Sequence, residues 1–434
     1  MTKRVVVTGL GVAAPNAIGV PQFSAALKAG ISGIKHDPEL ERLLFSCQIA
    51  GKPAITTELN ANYLTGLEQR NFNSNGILYG LVAGIDAWLD AGLFLANDSQ
   101  RGNKPGETGE PDWDSGTIFG AGTSGIDKFR ESIYRVDDLQ IRKLGSTIVI
   151  QTMVSGISAF LAGKLGLGNQ VTTNSAACTT GVESILMGYE RIKAGYAKRM
   201  LCGSTTDSGP YIWAGFDAMK VCTYKHNHDP QQGSRPMSAS ASGFVPGGGS
   251  GAMVLEDLES AHNRGVRIYA EILGGEINSG GQCGKGSMTS PNPLAVQRCI
   301  ENALRNANVK GSDVDCINAH LTATSRDSDE IRGWSRALGR VGVDFPPVNA
   351  LKSMIGHCLS AAGSIESVAA VLQLYEGFIF PNLNCEDLHP EIAELVAPEQ
   401  VPMSLIFRDL NVIAKASFGF GDVNACVLLK KYID

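Results

Sequence analysis

The sequence predicts an α/β protein with mostly parallel sheets, and three observations carry that expectation. Strand-like apolar runs alternate with helix-like stretches along the chain. One theme recurs: residues 181–194 (GVESILMGYERIKA) read as a helix followed by a strand at 200–204 (MLCGS), and residues 360–376 (SAAGSIESVAAVLQLYE) again read as a helix rich in Ala and Ser. Finally, GAMVLED at 251–257 and RIYAEILGGEI at 267–277 read as strands flanking a short helix. The repeated theme predicts an internal duplication with its seam near residue 260, dividing the chain into 1–260 and 261–434.

Taken in order, residues 4–8 (RVVVT) predict a buried strand, and the following GLGV its tight exit turn. From Asn75 to Ala91, apolar residues at helical spacing (Ile77, Leu81, Ile85, Trp88) predict a helix. The stretch 98–115 is polar and rich in Gly and Pro, as an exposed loop would be. A strand is predicted around Ser115–Gly120, a turn at Gly122–Gly125, and a helix of small apolar residues over 147–166.

The chain has 434 residues and 43% hydrophobic content, enough for a large core. Its 51 glycines exceed the usual share of about 7% and cluster near the motifs below. A net charge of −6 without a long basic run gives no footprint for nucleic acid. No two of the ten cysteines lie closer than Cys283 and Cys299, so there is no CxxC spacing for zinc or redox chemistry. Free thiols in a reducing compartment fit best. The apolar run in MTKRVVVTGLG is too short for a signal peptide, and no stretch approaches the roughly 18 residues of a membrane helix. A cytoplasmic protein without a membrane partner is expected.

Four segments carry chemistry. In Asn174–Gly181 (NSAACTTG), Cys178 stands at a helix start, where free backbone N–H groups and the helix dipole favour thiolate; a lone cysteine is otherwise an inert core residue. In Asn318–Thr324 (NAHLTAT), His320 ends an apolar strand (VDCI, 314–317) with hydroxyls at Thr322 and Thr324, a pattern that a structural histidine also satisfies. In Asn349–Gly363 (NALKSMIGHCLSAAG), Lys352 and His357 bracket a turn at Gly356 before a helix start. Ser417–Asn424 (SFGFGDVN) is either a flexible loop carrying Phe418 and Phe420 or a strand end with a Gly-rich turn. His226-Asn227-His228-Asp229 has the look of a ligand cluster, but its polar surroundings favour a solvated turn, and no metal site is expected.

These segments, in this order, resemble the β-ketoacyl-acyl-carrier-protein synthases of the thiolase superfamily, in particular the elongating type. The match extends through GVAAPN, AMKVC (218–222), SRPM…SGFVPGGGSGAMVLED (234–257) and SMTSPNP (287–293), covering essentially the whole chain. The resemblance implies a five-layered αβαβα fold of two duplicated halves and a homodimer, with a heterodimer of related subunits as the alternative. It also implies a partnership with an acyl carrier protein, whose phosphopantetheine brings the substrates, and no further cofactor. Cys178 resembles the acyl-accepting nucleophile, and His320 and His357 the pair assisting decarboxylation of the malonyl unit. Lys352 resembles the lysine that shapes their electrostatics, and Glu330 the acidic residue near it. Thr322 and Thr324 resemble the contacts to the pantetheine arm, with Phe420 and Phe418 in the oxyanion and gating loop.

The Cys-His-His set is unlike that of degradative thiolases, which use a second cysteine as base; Cys426 lies beyond the loop in an apolar strand. It also differs from initiating synthases, which carry Asn where His357 stands. A non-catalytic chain-length-factor subunit, the rival reading, usually lacks the nucleophile that Cys178 provides.

The chain departs from the family pattern at five places. Leu321 replaces a glycine, in a stretch to Glu330 one residue short. Met237–Ser242 lacks the usual charged residues, and Gly248 stands for a glutamate. Ser279–Ser287 (SGGQCGKGS) replaces a loop rich in Asp, Tyr and His, and Asp422 ends the SFGFG motif. These positions lie along the substrate entrance, which points to a specialised synthase of a polyene, polyketide or unusual fatty acid.

Overall fold

The computed structural model describes residues 3–97 and 109–433. Most of the loop predicted over 98–115 therefore lies outside the described residues.

Ten strands form the frame. The first half contributes β1 (Val5–Ala14), β2 (Ser115–Ala121), β3 (Val171–Thr172), β4 (Arg199–Thr206) and β5 (Gly249–Asp257). The second contributes β6 (Ala270–Ser279), β7 (Cys316–Asn318), β8 (Val348–Asn349), β9 (Val412–Gly419) and β10 (Val423–Lys431). The first five are ordered β3-β2-β4-β5-β1 and the second five β8-β7-β9-β10-β6, so each strand has a counterpart five numbers later. The directions repeat too. In each half the second strand pairs parallel with the third and fourth, while the fourth–fifth and fifth–first pairs are antiparallel. The mostly parallel sheet expected from sequence is thus a mixed one, because the last strand of each half returns antiparallel to both of its neighbours. The halves join edge to edge where Val5–Val7 of β1 pairs with Ala270–Ile272 of β6.

Six helices repeat likewise: α1 (Asn75–Asp90), α2 (Gly156–Leu165) and α3 (Thr180–Lys193), then α4 (Pro293–Ala307), α5 (Asp327–Leu338) and α6 (Ala362–Glu376). Helices α1 and α2 cover the outer face of the first sheet, and α4, backed by α5, that of the second. Helices α3 and α6 touch each other and both sheets, completing five layers. Residues Ala362–Leu374 of α6 are buried without exception, as a helix that is mostly apolar all round requires.

Two local expectations are corrected. The GLGV predicted to be an exit turn continues β1, whose ten residues are all buried. Its glycines serve close packing instead: a Cβ on Gly11 would stand 1.9 Å from the carbonyl oxygen of Ala83 in α1. The helix predicted over 147–166 is two, Ile148–Thr152 and α2, because Met153 adopts an extended ψ of 139° between them.

Candidate active site

Cys178 occupies the middle of a single 3-10 turn, Ala177–Thr179, immediately before α3. Ala177 is held at φ +47°, uncommon for a residue with a side chain. The two threonines that follow fix this elbow. Thr179 Oγ1 donates to the Ala176 carbonyl at 2.6 Å, and Thr180 Oγ1 accepts the Ala176 amide at 2.8 Å while donating to the Ala177 carbonyl at 2.7 Å.

His320 stands two residues past the end of β7, and His357 follows the short helix Lys352–Ile355. The His357 amide donates to the Val245 carbonyl at 2.7 Å, pinning the backbone. The thiol of Cys178 and the nearest ring nitrogens of the two histidines lie within 4.8 Å of one another. The imidazole planes are nearly perpendicular, at 83°, with centroids 5.5 Å apart. Phe244 meets His357 at 5.2 Å and Phe418 meets His320 at 6.0 Å, both edge to face, which fixes the ring orientations.

The partners behind the rings set their tautomers. The Leu359 amide donates to Nδ1 of His357 at 3.1 Å, so that nitrogen is an acceptor. The Lys352 ammonium lies 3.4 Å from Nδ1 of His320 and donates to the His320 carbonyl at 2.5 Å. Burial, reinforced by the Lys352 charge, holds both imidazoles well below their ordinary value of 6.5. A neutral ring that accepts at Nδ1 carries its proton on Nε2, so each presents an N–H donor.

The thiol differs from expectation. Burial pushes Cys178 up to about 11, outweighing Lys352 and the facing amides of Phe420 and of Cys178 itself. A helix start alone does not give a resting thiolate at this partly buried sulfur, which opens only onto the cavity.

Lys352, 1% exposed, forms its ion pair with Glu366, while Glu330, expected near it, feels the Lys352 charge without a salt bridge to it. The Glu330 carboxylate accepts the amides of His320 and Leu321, each at 2.7 Å, and burial pushes it up to about 7. It therefore anchors the histidine loop. Asp327 works beside it, accepting the amides of Thr322 at 2.9 Å, Ala323 at 3.1 Å and Met237 at 3.0 Å.

A cavity of about 320 Å³ is lined by Cys178, His320, His357, Glu330, Thr322, Thr324, Phe418 and Phe420, so all the predicted site residues except Lys352 reach one space. Phe216, Val221, Phe244 and Leu359 add an apolar wall, and Ser287, Thr289 and Arg326 a polar one. The SFGFG segment is the strand-end alternative: Ser417, Phe418 and Gly419 pair with Ala425, Asn424 and Val423, and Phe420 sits at the hairpin tip. Leu321 is wholly buried in the core around α5 and does not line the cavity. At Gly248 a Cβ would meet that of Ser208 at 2.6 Å, which leaves no room for a glutamate there. His226 and His228 lie in a turn, and among the described residues they form no ligand cluster.

Sequence reasoning missed Glu366, Lys415, Asp327 and Phe244. For the first two a signal existed: Glu366 is the lone charge among the apolar and small residues of 362–374, and Lys415 the lone charge in VIAKASFG.

The family models described as "Beta-ketoacyl synthase, N-terminal domain" and "Beta-ketoacyl synthase, C-terminal domain" match residues 2–261 and 269–386. The chain is 34% identical over 435 residues to a 3-oxoacyl-[acyl-carrier-protein] synthase 2 of Vibrio harveyi, covering 99% of each. Among solved structures it resembles a beta-ketoacyl synthase from Burkholderia phymatum, with a TM-score of 0.87 at 26% identity over 99% of this chain and 100% of the other. It is also similar to the structure of a type II polyketide synthase acyl-carrier protein in complex with its ketosynthase bound to the hexaketide (TM-score 0.85, 25% identity, 100% of both chains). With a thiol at a strained elbow, two imidazole donors facing it and family matches along both halves, the chain belongs to the beta-ketoacyl synthases.

Proposed function

We propose that the protein is an elongating β-ketoacyl-acyl-carrier-protein synthase, an acyltransferase that joins an acyl group on Cys178 to a malonyl unit with loss of CO2. The observation that carries this is the convergence of one thiol and a ring nitrogen from each of two histidines within 4.8 Å, both rings accepting at Nδ1 and so donating from Nε2.

In the first step the Cys178 sulfur attacks the thioester carbonyl of an acyl carrier; the C–S bond to pantetheine breaks, and the thiol proton leaves with the carrier sulfur. The amides of Cys178 and Phe420, which face the sulfur, hold the tetrahedral oxyanion. In the second step the carboxyl carbon of malonyl-carrier departs as CO2, and its bonding electrons form an enolate. His320 and His357 donate their Nε2 protons as hydrogen bonds to the enolate oxygen, stabilising charge where it develops. The enolate carbon then forms the C–C bond to the acyl carbonyl; the C–S bond to Cys178 breaks as the tetrahedral intermediate collapses, and the released thiolate takes a proton from solvent. Thr322 and Thr324 hold the pantetheine arm, and Phe418 and Phe420 form the gate and one wall of the acyl space.

No metal or cofactor enters these steps. The thiol and imidazoles are spaced so that an ion could sit among them, but the donors argue otherwise. To bind a metal through Nε2, each ring would need a proton on Nδ1, where the Leu359 amide and the Lys352 ammonium already point their own.

The partners are an acyl carrier protein and a second subunit. The exposed Phe129, Ile133 and Tyr134, with Leu139 and Ile141 just beyond, support a subunit interface of the homodimer, or of a heterodimer with a related chain. The halves 1–260 and 261–434 act as one catalytic body, in the cytoplasm; no described helix is long and apolar enough to cross a membrane. The substituted entrance at 279–287 and Asp422 supports a specialised polyene, polyketide or unusual fatty-acid substrate over a bulk lipid one. The thiol of Cys178 at its elbow, facing both imidazoles, disfavours a non-catalytic chain-length factor.

The test is intact mass after incubation with a panel of acyl-carrier thioesters. One acyl group on the wild type and none on Cys178→Ala supports the reading and reveals the preferred chain. No acylation by any donor overturns it.

A further inference from the structure

Behind the histidines lies a fully buried cluster that the reaction above does not use in full. Glu366 on α6 is 0% exposed and faces two ammonium groups. One of its oxygens pairs with Lys352; the other lies 2.7 Å from Lys415 on β9, itself 0% exposed. Lys415 also donates to its neighbouring carbonyl at Ala416 and reaches Ser417 Oγ at 3.3 Å, so its head is held on the strand leading to the Phe418–Phe420 tip.

A buried carboxylate matched by one lysine would form a neutral pair, and its field at a distance would largely cancel. Here one carboxylate serves two lysines, and the pair facing His320 keeps a surplus of positive charge. We infer that Lys415 is a positioning residue for the histidine pair: by taking half of the Glu366 carboxylate it leaves the Lys352 charge under-neutralised behind His320, and so keeps both imidazoles as neutral Nε2–H donors. The cluster contains few other charged groups. Glu330 on α5 acts on both lysines and begins to offset the surplus as it ionises near 7, while Cys178, from the cavity side, and the buried Cys426 face the cluster as thiols. The fields of Lys352 and then Lys415 both push the two imidazoles toward the neutral form, in line with this geometry.

The test uses the full-length protein labelled with 15N-histidine, with the two site imidazoles assigned by His320→Gln and His357→Gln. In the wild type both rings remain neutral Nε2–H forms down through pH 6. In Lys415→Met, which keeps length and removes charge, their protonation midpoints rise by about one pH unit, while Lys415→Arg stays near the wild type. The acid limb of malonyl-carrier decarboxylation moves upward with them, because loss of a nearby cation lets the rings take up protons at higher pH. Coincident titrations of Lys415→Met and wild type, even with a lowered Tm, would mean that Lys415 only packs and would overturn the inference. Should Lys415→Met not fold, the wild type decides: a site imidazole that protonates near its ordinary 6.5 overturns it equally. The activity arm rests on the ketosynthase reading and the titration arm does not. A protein that decarboxylates nothing therefore refutes the reaction while leaving the charge arrangement readable.

Discussion

The amide of Leu359 donates to Nδ1 of His357, and the two residues are neighbours but one in the chain. The ring is thereby turned by its own backbone, with its remaining proton directed into the cavity beside Cys178. Because that donor matters to the enolate and not to acyl transfer, the two half-reactions separate. In His357→Ala, CO2 release from malonyl-carrier falls by about 10²–10³-fold, the usual loss for one oxyanion donor, while acylation of Cys178 stays within a few-fold of wild type. Intact mass and CO2 release, measured on the same preparation, check the split.

Glu330 gives stability a pH dependence. Its folded value is raised to about 7 from an ordinary 4.5, so the folded protein holds this proton more tightly than the unfolded chain does. The stabilisation is complete below 4.5 and is lost as pH rises to about 7, amounting to about 3 kcal/mol over the window. Glu330→Gln carries a constant penalty, since its NH2 must face an amide N–H, but lacks this slope. Denaturant unfolding at several pH values should show the difference between the two proteins changing from pH 4.5 to 7 and flat above.

Asp422 ties the two loops at the entrance together. Its carboxylate, 0% exposed, accepts the amides of Gln282 at 2.9 Å and Asn292 at 2.7 Å, and its carbonyl accepts that of Gly280 at 2.9 Å. The next bond along runs from the Gly421 amide to the Met288 carbonyl at 2.7 Å. Asn tolerates the φ of +60° at this position, so Asp422→Asn isolates the loss of charge. The expected cost is about 1–3 kcal/mol, with amide exchange at Gln282 and Asn292 accelerated and the tip at Phe420 freed.

Most of the reactive groups were legible because each sits at the end of an element that announces itself: Cys178 before a helix, His320 after an apolar strand, His357 after a glycine turn. What escaped was what depends on distance in the chain. Lys352 and Glu366 are 14 residues apart and Lys415 lies on another strand, so nothing local reveals that they share one pocket. The surroundings of the thiol were hidden for the same reason: a helix start is visible in sequence, whereas the packing that raises its pKa is made by residues from both halves. The early glycines were read as a turn because a close helix-to-strand approach and a bend call for the same residue. The mixed sheet was missed because strand direction depends on where a return strand docks.

The doubled frame leaves a second elbow in the molecule. Ser360 occupies the middle of the 3-10 turn Leu359–Ala361 before α6, as Cys178 does before α3, and Leu359 repeats the +47° φ of Ala177. Yet its hydroxyl accepts the Gly122 amide at 3.1 Å, donates to the Thr205 carbonyl at 2.8 Å and meets the hydroxyl of Thr206. The twin is thus spent as a structural rivet fastening the second half to the first. Each half therefore reaches into its sibling, one with a nucleophile and the other with a clasp. Expressed separately, neither 1–260 nor 261–434 would hold a working centre, since the first lacks the imidazoles and the second the thiol.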